Sequence, residues 1–127
     1  MTTTNRIRRK IQRGDVVLMP VAFGLGSGVK KRPVVVVQND NLNQRRDSTV
    51  VAIITSTTKR AGVEPTQLLI EVSTPDGLLS GLEHDSTVKC EHLDTVAQED
   101  IVRYLGKLTP SLMSKLEACL KVALAIP

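Results

Sequence analysis

Four consecutive valines, Val34 to Val37, constrain the fold of this chain more than any other feature. β-branched side chains are stiff and sit well on a pleated surface. An uninterrupted run of them leaves no polar side to face water, so it reads as a strand buried on both faces. Pro33 stands at its start, where a missing N–H need not break a ladder. Residues 49–54 repeat the theme as a second buried strand that ends at Thr55-Ser56. Shorter runs at 16–19 and 66–70 add two strands, and a fifth begins at 86–90 and is expected to continue through Leu93. With one Phe, one Tyr and no Trp, the core between them has to be aliphatic.

The connections are polar. Lys30-Lys31-Arg32 closes a glycine-rich stretch, residues 39–47 read as a turn-rich loop, and Lys59-Arg60 sits in a third. Residues 98–108 suit a helical turn followed by a small strand. Thr109 is a good N-cap with Pro110 at the first helical position, and Leu112, Leu116, Leu120, Ala123 and Leu124 form one apolar stripe after it. Many strands, short loops and one closing helix predict a mainly β fold, a small and strongly bent barrel with a C-terminal helix. At 127 residues one domain suffices. Its expected span is 13–127, after a flexible basic arm at 1–12 whose Arg6 to Arg13 segment can add phosphate affinity.

Charge is unevenly spread. Residues 1–60 hold 12 Lys and Arg against 3 Asp and Glu, while residues 61–127 hold 5 against 10. Such polarity suits a polyanionic ligand on one side of the molecule. Two cysteines, Cys90 and Cys119, are too few for a disulfide framework and read as reduced thiols of a cytoplasmic protein. The first ten residues lack the apolar stretch of a secretory signal, and no run of 18 apolar residues exists to cross a membrane.

If the two valine- and isoleucine-rich strands are antiparallel neighbours, the start of one lies beside the end of the other. Arg32 and Thr55 then meet at one rim of the sheet, with the basic clusters Lys30-Lys31, Arg45-Arg46 and Lys59-Arg60 around them. Phosphates suit such a groove, and Phe23 is the one base-stacking surface nearby in sequence.

These residues also carry a resemblance. Arg13-Gly-Asp-Val16, Lys31-Arg-Pro-Val-Val-Val-Val-Gln-Asn-Asp40 and Ala52-Ile-Ile-Thr-Ser56 resemble, in order, the motifs of MazF/PemK-type toxins. Pro65-Thr66, Asp85-Ser-Thr-Val-Lys-Cys-Glu91 and Leu105-Gly-Lys-Leu108 continue the series, which covers nearly the whole chain. The resemblance implies a Src-homology-3-like barrel of the MazF/PemK/CcdB type that forms a homodimer and cuts single-stranded RNA. It implies Arg32 and Thr55 as the catalytic pair, no metal or other cofactor, and products bearing a 2′,3′-cyclic phosphate and a free 5′-hydroxyl. It also implies a cognate antitoxin whose disordered tail fills the RNA groove. Ser56 is a candidate supporting residue. Phe23, Lys30, Lys31, Arg45, Arg46, Lys59 and Arg60 are candidate RNA contacts.

The residue types agree with that chemistry. RNA brings its own nucleophile, the 2′-hydroxyl, so the protein supplies alignment and relief of charge on the phosphoryl oxygens. A guanidinium grips those oxygens in bidentate fashion, and a threonine hydroxyl adds a hydrogen bond. Blander readings exist for each residue: a solvated loop arginine, a strand-ending threonine. Cys90 and His92, two apart on a strand and expected on one face, raise zinc together with His84, but four ligands at zinc spacing are wanting. His92-Leu93-Asp94 departs from the usual pattern of Gln, an apolar residue and a base. Two rivals stand beside the ribonuclease: a toxin that poisons DNA gyrase through its C-terminal helix, and a barrel that binds RNA without cutting it.

Overall fold

The computed structural model describes residues 10–22 and 28–127. Phe23 and residues 1–9 lie outside that range. In chain order the elements are β1 (Asp15–Ala22), β2 (Val29–Val36), α1 (Asp40–Arg45), β3 (Ser48–Thr55), β4 (Gln67–Ile70), α2 (Pro75–Leu79), β5 (Ser86–Ala97), a 3-10 turn (Gln98–Asp100), β6 (Arg103–Lys107) and α3 (Pro110–Leu124). The strands make one antiparallel six-stranded sheet in the order β4-β5-β3-β2-β1-β6. This is the mainly β, C-terminal-helix architecture expected from the aliphatic runs.

The valine run is buried on both faces for a visible reason. Val35 joins Val16, Ala52, Ile54, Val88 and Cys90 in one cluster, to which α3 adds Leu112 and Leu116. Val34 and Val36 join Val17, Met19, Val21, Val51 and Ile53 in a second cluster on the other face, covered by Ile11, Val96, Ile101 and Tyr104. Alternation sends successive valines to opposite faces, and each face has its own cover. Ile11 is buried, so the packed chain starts ahead of the boundary expected at Arg13.

Three local expectations need correction, and a segment left unassigned gains a helix. Lys30, Lys31 and Arg32 belong to β2, not to a loop, because β1 pairs with β2 back to Val29. The polar stretch 39–47 contains α1, started by the Asn39 side chain accepting from the Leu42 N–H. Residues around Pro75 form α2, capped in the same manner by Thr74 with Pro75 in its first turn. β5 is longer than expected and bulged: the β3 partner of Ala52 is Leu93, while that of Ile53 is Lys89. Residues 90–92 are therefore extra, and alternation fails across them. Cys90 is buried and His92 exposed, so they do not share a face.

The sheet curls until its edges meet through the segment after α2. Gly81 adopts φ 75°, and a Cβ there would collide with the Leu105 carbonyl of β6. Gly106 is pressed equally closely against Leu79 and Ser80. Glycine is required at both positions, one for its left-handed backbone and both for close approach. This seam lays residues 79–81 against β6, and residues 81–84 line one wall of the site.

Candidate active site

Pro33 shapes the site. It has no N–H to give a ladder, and the β2–β3 pairing ends beside it at the Val34–Ile53 pair. Beyond that pair the strands part. The same register, run on by two residues, sets Arg32 across from Thr55. Arg32 pairs with Met19 of β1, whose side chain lies in the second cluster, and Thr55 follows Ile53 and Val51 of that cluster at two-residue spacing. Both side chains therefore leave the sheet on one face.

A cleft of about 410 Å³ opens where the strands separate. Lys31, Arg32, Thr55 and Ser56 line it from β2 and β3, Arg103 and Leu105 from β6, and Glu83 and His84 from the segment after Gly81. Leu18, Pro33, Ile54 and Leu82 supply its apolar parts. Arg32 and Thr55 are each half-buried, and Ser56 is exposed. The Thr55 hydroxyl oxygen accepts from the Thr57 N–H at 3.2 Å, which fixes its rotamer and leaves its own proton to donate elsewhere.

Thr55 also lines a smaller recess of about 150 Å³, together with Thr57, Arg60, Gln67 and Lys89. Glu91 ties β4 to β5, accepting from the Thr66 hydroxyl at 2.8 Å and the Gln67 amide at 2.7 Å. Partial desolvation acts to raise the Glu91 carboxyl, but the bonds from Gln67, its own backbone N–H and Thr66 outweigh it and hold the group below its ordinary value.

The basic clusters do not all converge. Lys31 lines the larger cleft and Arg60 the smaller. Lys30 is exposed on the Arg32 face, opposite Val21, and Lys59 is exposed in the loop after β3. Arg45 and Arg46 sit elsewhere. α1 joins the end of β2 to the start of β3, so it closes the opposite end of that hairpin. Eight residues of β3 separate them from Thr55, roughly 25 Å at about 3.3 Å per residue. Antiparallel connection alone dictates this.

Conversely, Arg103, Lys89 and Gln67 enter the two cavities without having been singled out in the sequence, and His84, raised there only for zinc, lines the larger one. Lys89 and Arg103 belong to the acid-rich half of the chain, so counting charge by halves hid them. The one available signal was Lys89 itself, a cation set between Val88 and Cys90 in an otherwise apolar strand. Asp94, the acidic departure, pairs with Val51 and thus lies on the Thr55 face, four residues back along β3. No group of three His, Cys, Asp or Glu side chains is gathered for a metal among the described residues.

Comparison with known proteins agrees with this architecture. The sequence profile of the family described as PemK-like, MazF-like toxin of type II toxin-antitoxin system matches residues 12–124. The endoribonuclease EndoA of Bacillus subtilis is 32% identical over 91% of this chain and 96% of its own length. Endoribonuclease MazF9 of Mycobacterium tuberculosis is 28% identical over 90% and 96%. A mycobacterial endoribonuclease, solved in complex with its cognate antitoxin, superposes with a TM-score of 0.72 at 26% identity, covering 92% of this chain and 97% of that one. MazF of Deinococcus radiodurans shares the fold, with a TM-score of 0.69 at 14% identity and coverage of 94% and 100%. Matched from one end of its sheet to the end of its closing helix, the chain belongs to the PemK-like, MazF-like toxins of type II toxin–antitoxin systems.

Proposed function

We propose that this toxin is a cytoplasmic, metal-independent endoribonuclease that cuts single-stranded RNA, with Arg32 and Thr55 at the reacting phosphate. The observation that carries the reading is the register: a guanidinium and a hydroxyl, 23 positions apart in sequence, leave one face of the sheet across from each other, and both residues line the cleft that opens beside Pro33. Arg32 balances the charge that builds on the phosphoryl oxygens as the substrate's 2′-hydroxyl attacks. Thr55 donates a hydrogen bond to the same group, and Ser56 supports it from the next position. The O2′–P bond forms as the 2′-hydroxyl proton passes to solvent, the P–O5′ bond breaks, and the 5′-oxygen takes up a proton, leaving a 2′,3′-cyclic phosphate and a 5′-hydroxyl end. Protonation of that leaving oxygen falls to solvent or a second group, since a guanidinium scarcely deprotonates.

Partners follow from the same reading. A cognate antitoxin regulates the toxin, and the toxin acts as a homodimer, as the family resemblance implies. The relatives EndoA and MazF9 are named endoribonucleases, and a 26%-identical structural neighbour was solved with its antitoxin.

The test uses a long unstructured RNA, incubated with the full chain in EDTA and again with Mg²⁺, and analysed for end chemistry. Cleavage with cyclic-phosphate ends at equal rate in both buffers is expected. Arg32→Ala and Thr55→Ala should each lower the rate about 100- to 1,000-fold, the scale for losing one preorganised charge-stabilising donor. Cleavage that EDTA abolishes, or that survives both substitutions, overturns the proposal. RNA bound but left intact favours the binding barrel, and inhibited gyrase supercoiling with intact RNA favours the gyrase poison.

A further inference from the structure

Resting on the ribonuclease reading above, we infer that the recess lined by Thr55, Thr57, Arg60, Gln67 and Lys89 is a second phosphate subsite for the RNA strand, with Lys89 as its anchoring cation. Thr55 lines both the recess and the larger cleft. A strand whose scissile phosphate sits at Thr55 has to pass a neighbouring phosphate close by.

The lining selects for that group. All five side chains bring hydrogen-bond donors, two of them cationic, and none offers the flat apolar wall that holds a base. The larger cleft differs, with Leu18, Ile54, Leu82 and Leu105 available to sugar and base surfaces. Lys89 is set by register: it pairs with Ile53 of β3 and Gln67 of β4, while its neighbours Val88 and Cys90 are buried in the α3-side cluster. Its stem therefore rises on the Thr55 face, half-buried.

Two carboxylates meet residues of the recess. Arg60 meets Glu64 at 3.7 Å with both side chains well exposed, a contact easily exchanged for phosphate. Glu91 takes one amide hydrogen of Gln67 and leaves the other. A phosphate here is held by charge and donors alone, so the subsite strengthens binding to any RNA sequence without choosing among bases.

The experiment first maps one cut in a long RNA, then uses an oligonucleotide spanning it. Cleavage kinetics are measured on the all-ribose form, and binding on a form with 2′-deoxyribose at the cut. Lys89→Ala is expected to raise KM and Kd about ten-fold, with kcat moving less than KM. The plot of log affinity against log salt should flatten by about 0.7, the share of one phosphate on a single strand. Lys89→Arg should restore both, and Lys89→Gln, which keeps the stem, should behave as Lys89→Ala; thermal melts check that all three fold. Unchanged Kd and salt slope in Lys89→Ala overturn the subsite even if the parent cleaves well. Failure of the parent to cleave overturns the ribonuclease reading alone, because Kd and salt slope are then measured on an unstructured single-stranded RNA of the same length and still decide the subsite.

Discussion

The Cys90 thiol is pushed up to about 12, first by burial and then by the nearness of Cys119 and Glu91. At neutral pH it is an uncharged packing residue against the inner cluster, unsuited to nucleophilic or metal chemistry. The sign of its pH effect follows. An unfolded thiol ionises near 9.0 and the folded one near 12, so between those values the native state holds the proton that the unfolded state has lost. Stability is unaffected below that window and falls as pH rises through it, by at most about 1.4 kcal/mol per pH unit. Cys90→Ala should flatten the melting-temperature curve across that window. An alkaline limb of unchanged steepness would show that this thiol does not titrate as described. Arg13 and Asp15 likewise turn out to be structural: Arg13 ties α3 to the sheet through Glu117 at 2.7 Å, and Asp15, fully buried, meets Lys107 at 3.1 Å.

Among the elements, α1 rests on one buried side chain. Asn43 is fully enclosed. Its carbonyl oxygen accepts from the Thr49 hydroxyl at 2.7 Å and the Gln38 amide at 2.9 Å, and its amide donates to the Gln38 carbonyl at 3.0 Å and Asp40 at 3.2 Å. Gln98 adds a span across the same knot, donating to the carbonyls of Asn43, Arg46 and Ser48. Gln38-Asn39-Asp40, part of the stretch that carries the family resemblance, thus builds a joint at the end of the hairpin away from Arg32. Asn43→Ala strands several donors and acceptors in a buried place and should cost about 3 kcal/mol in denaturant unfolding. Cleavage by the fraction still folded should stay near normal, because the joint stands roughly 25 Å from Thr55. A loss under about 0.5 kcal/mol would contradict the role given to Asn43.

At the scale of the whole molecule, the sheet closes on Gly81 and Gly106. Because the seam at Gly81 and Gly106 lays residues 79–81 on β6, Glu83 and His84 reach the cleft that Arg103 also lines. Gly81→Ala adds a left-handed backbone penalty to a collision with the Leu105 carbonyl. It should destabilise the fold by about 3 kcal/mol, and, unlike Asn43→Ala, lower the activity of the folded fraction as well. Unfolding curves and active-site-normalised cleavage rates separate the two effects. A variant with parental stability would mean that the seam can open without cost.

Much of this was legible in the chain itself. Consecutive β-branched residues and the Thr109-Pro110 cap determine their own local conformation, so strands, closing helix and aliphatic core follow from residue type and spacing. Pro33 could be read as a strand-tolerated proline, but its consequence, parting β2 from β3 at the cleft, depends on which strand lies beside it. What the sequence could not carry was partnership between distant segments. Charge counted along the chain grouped Arg45 and Arg46 with Arg32 and overlooked Lys89 and Arg103. An antiparallel connection sends the first pair to the far end of the hairpin, and strand register sets the second pair, Lys89 through β3 and Arg103 through β1. Local conformation is fixed by a residue and its near neighbours; a site is fixed by register, bulges and closure, which exist only once the strands have paired.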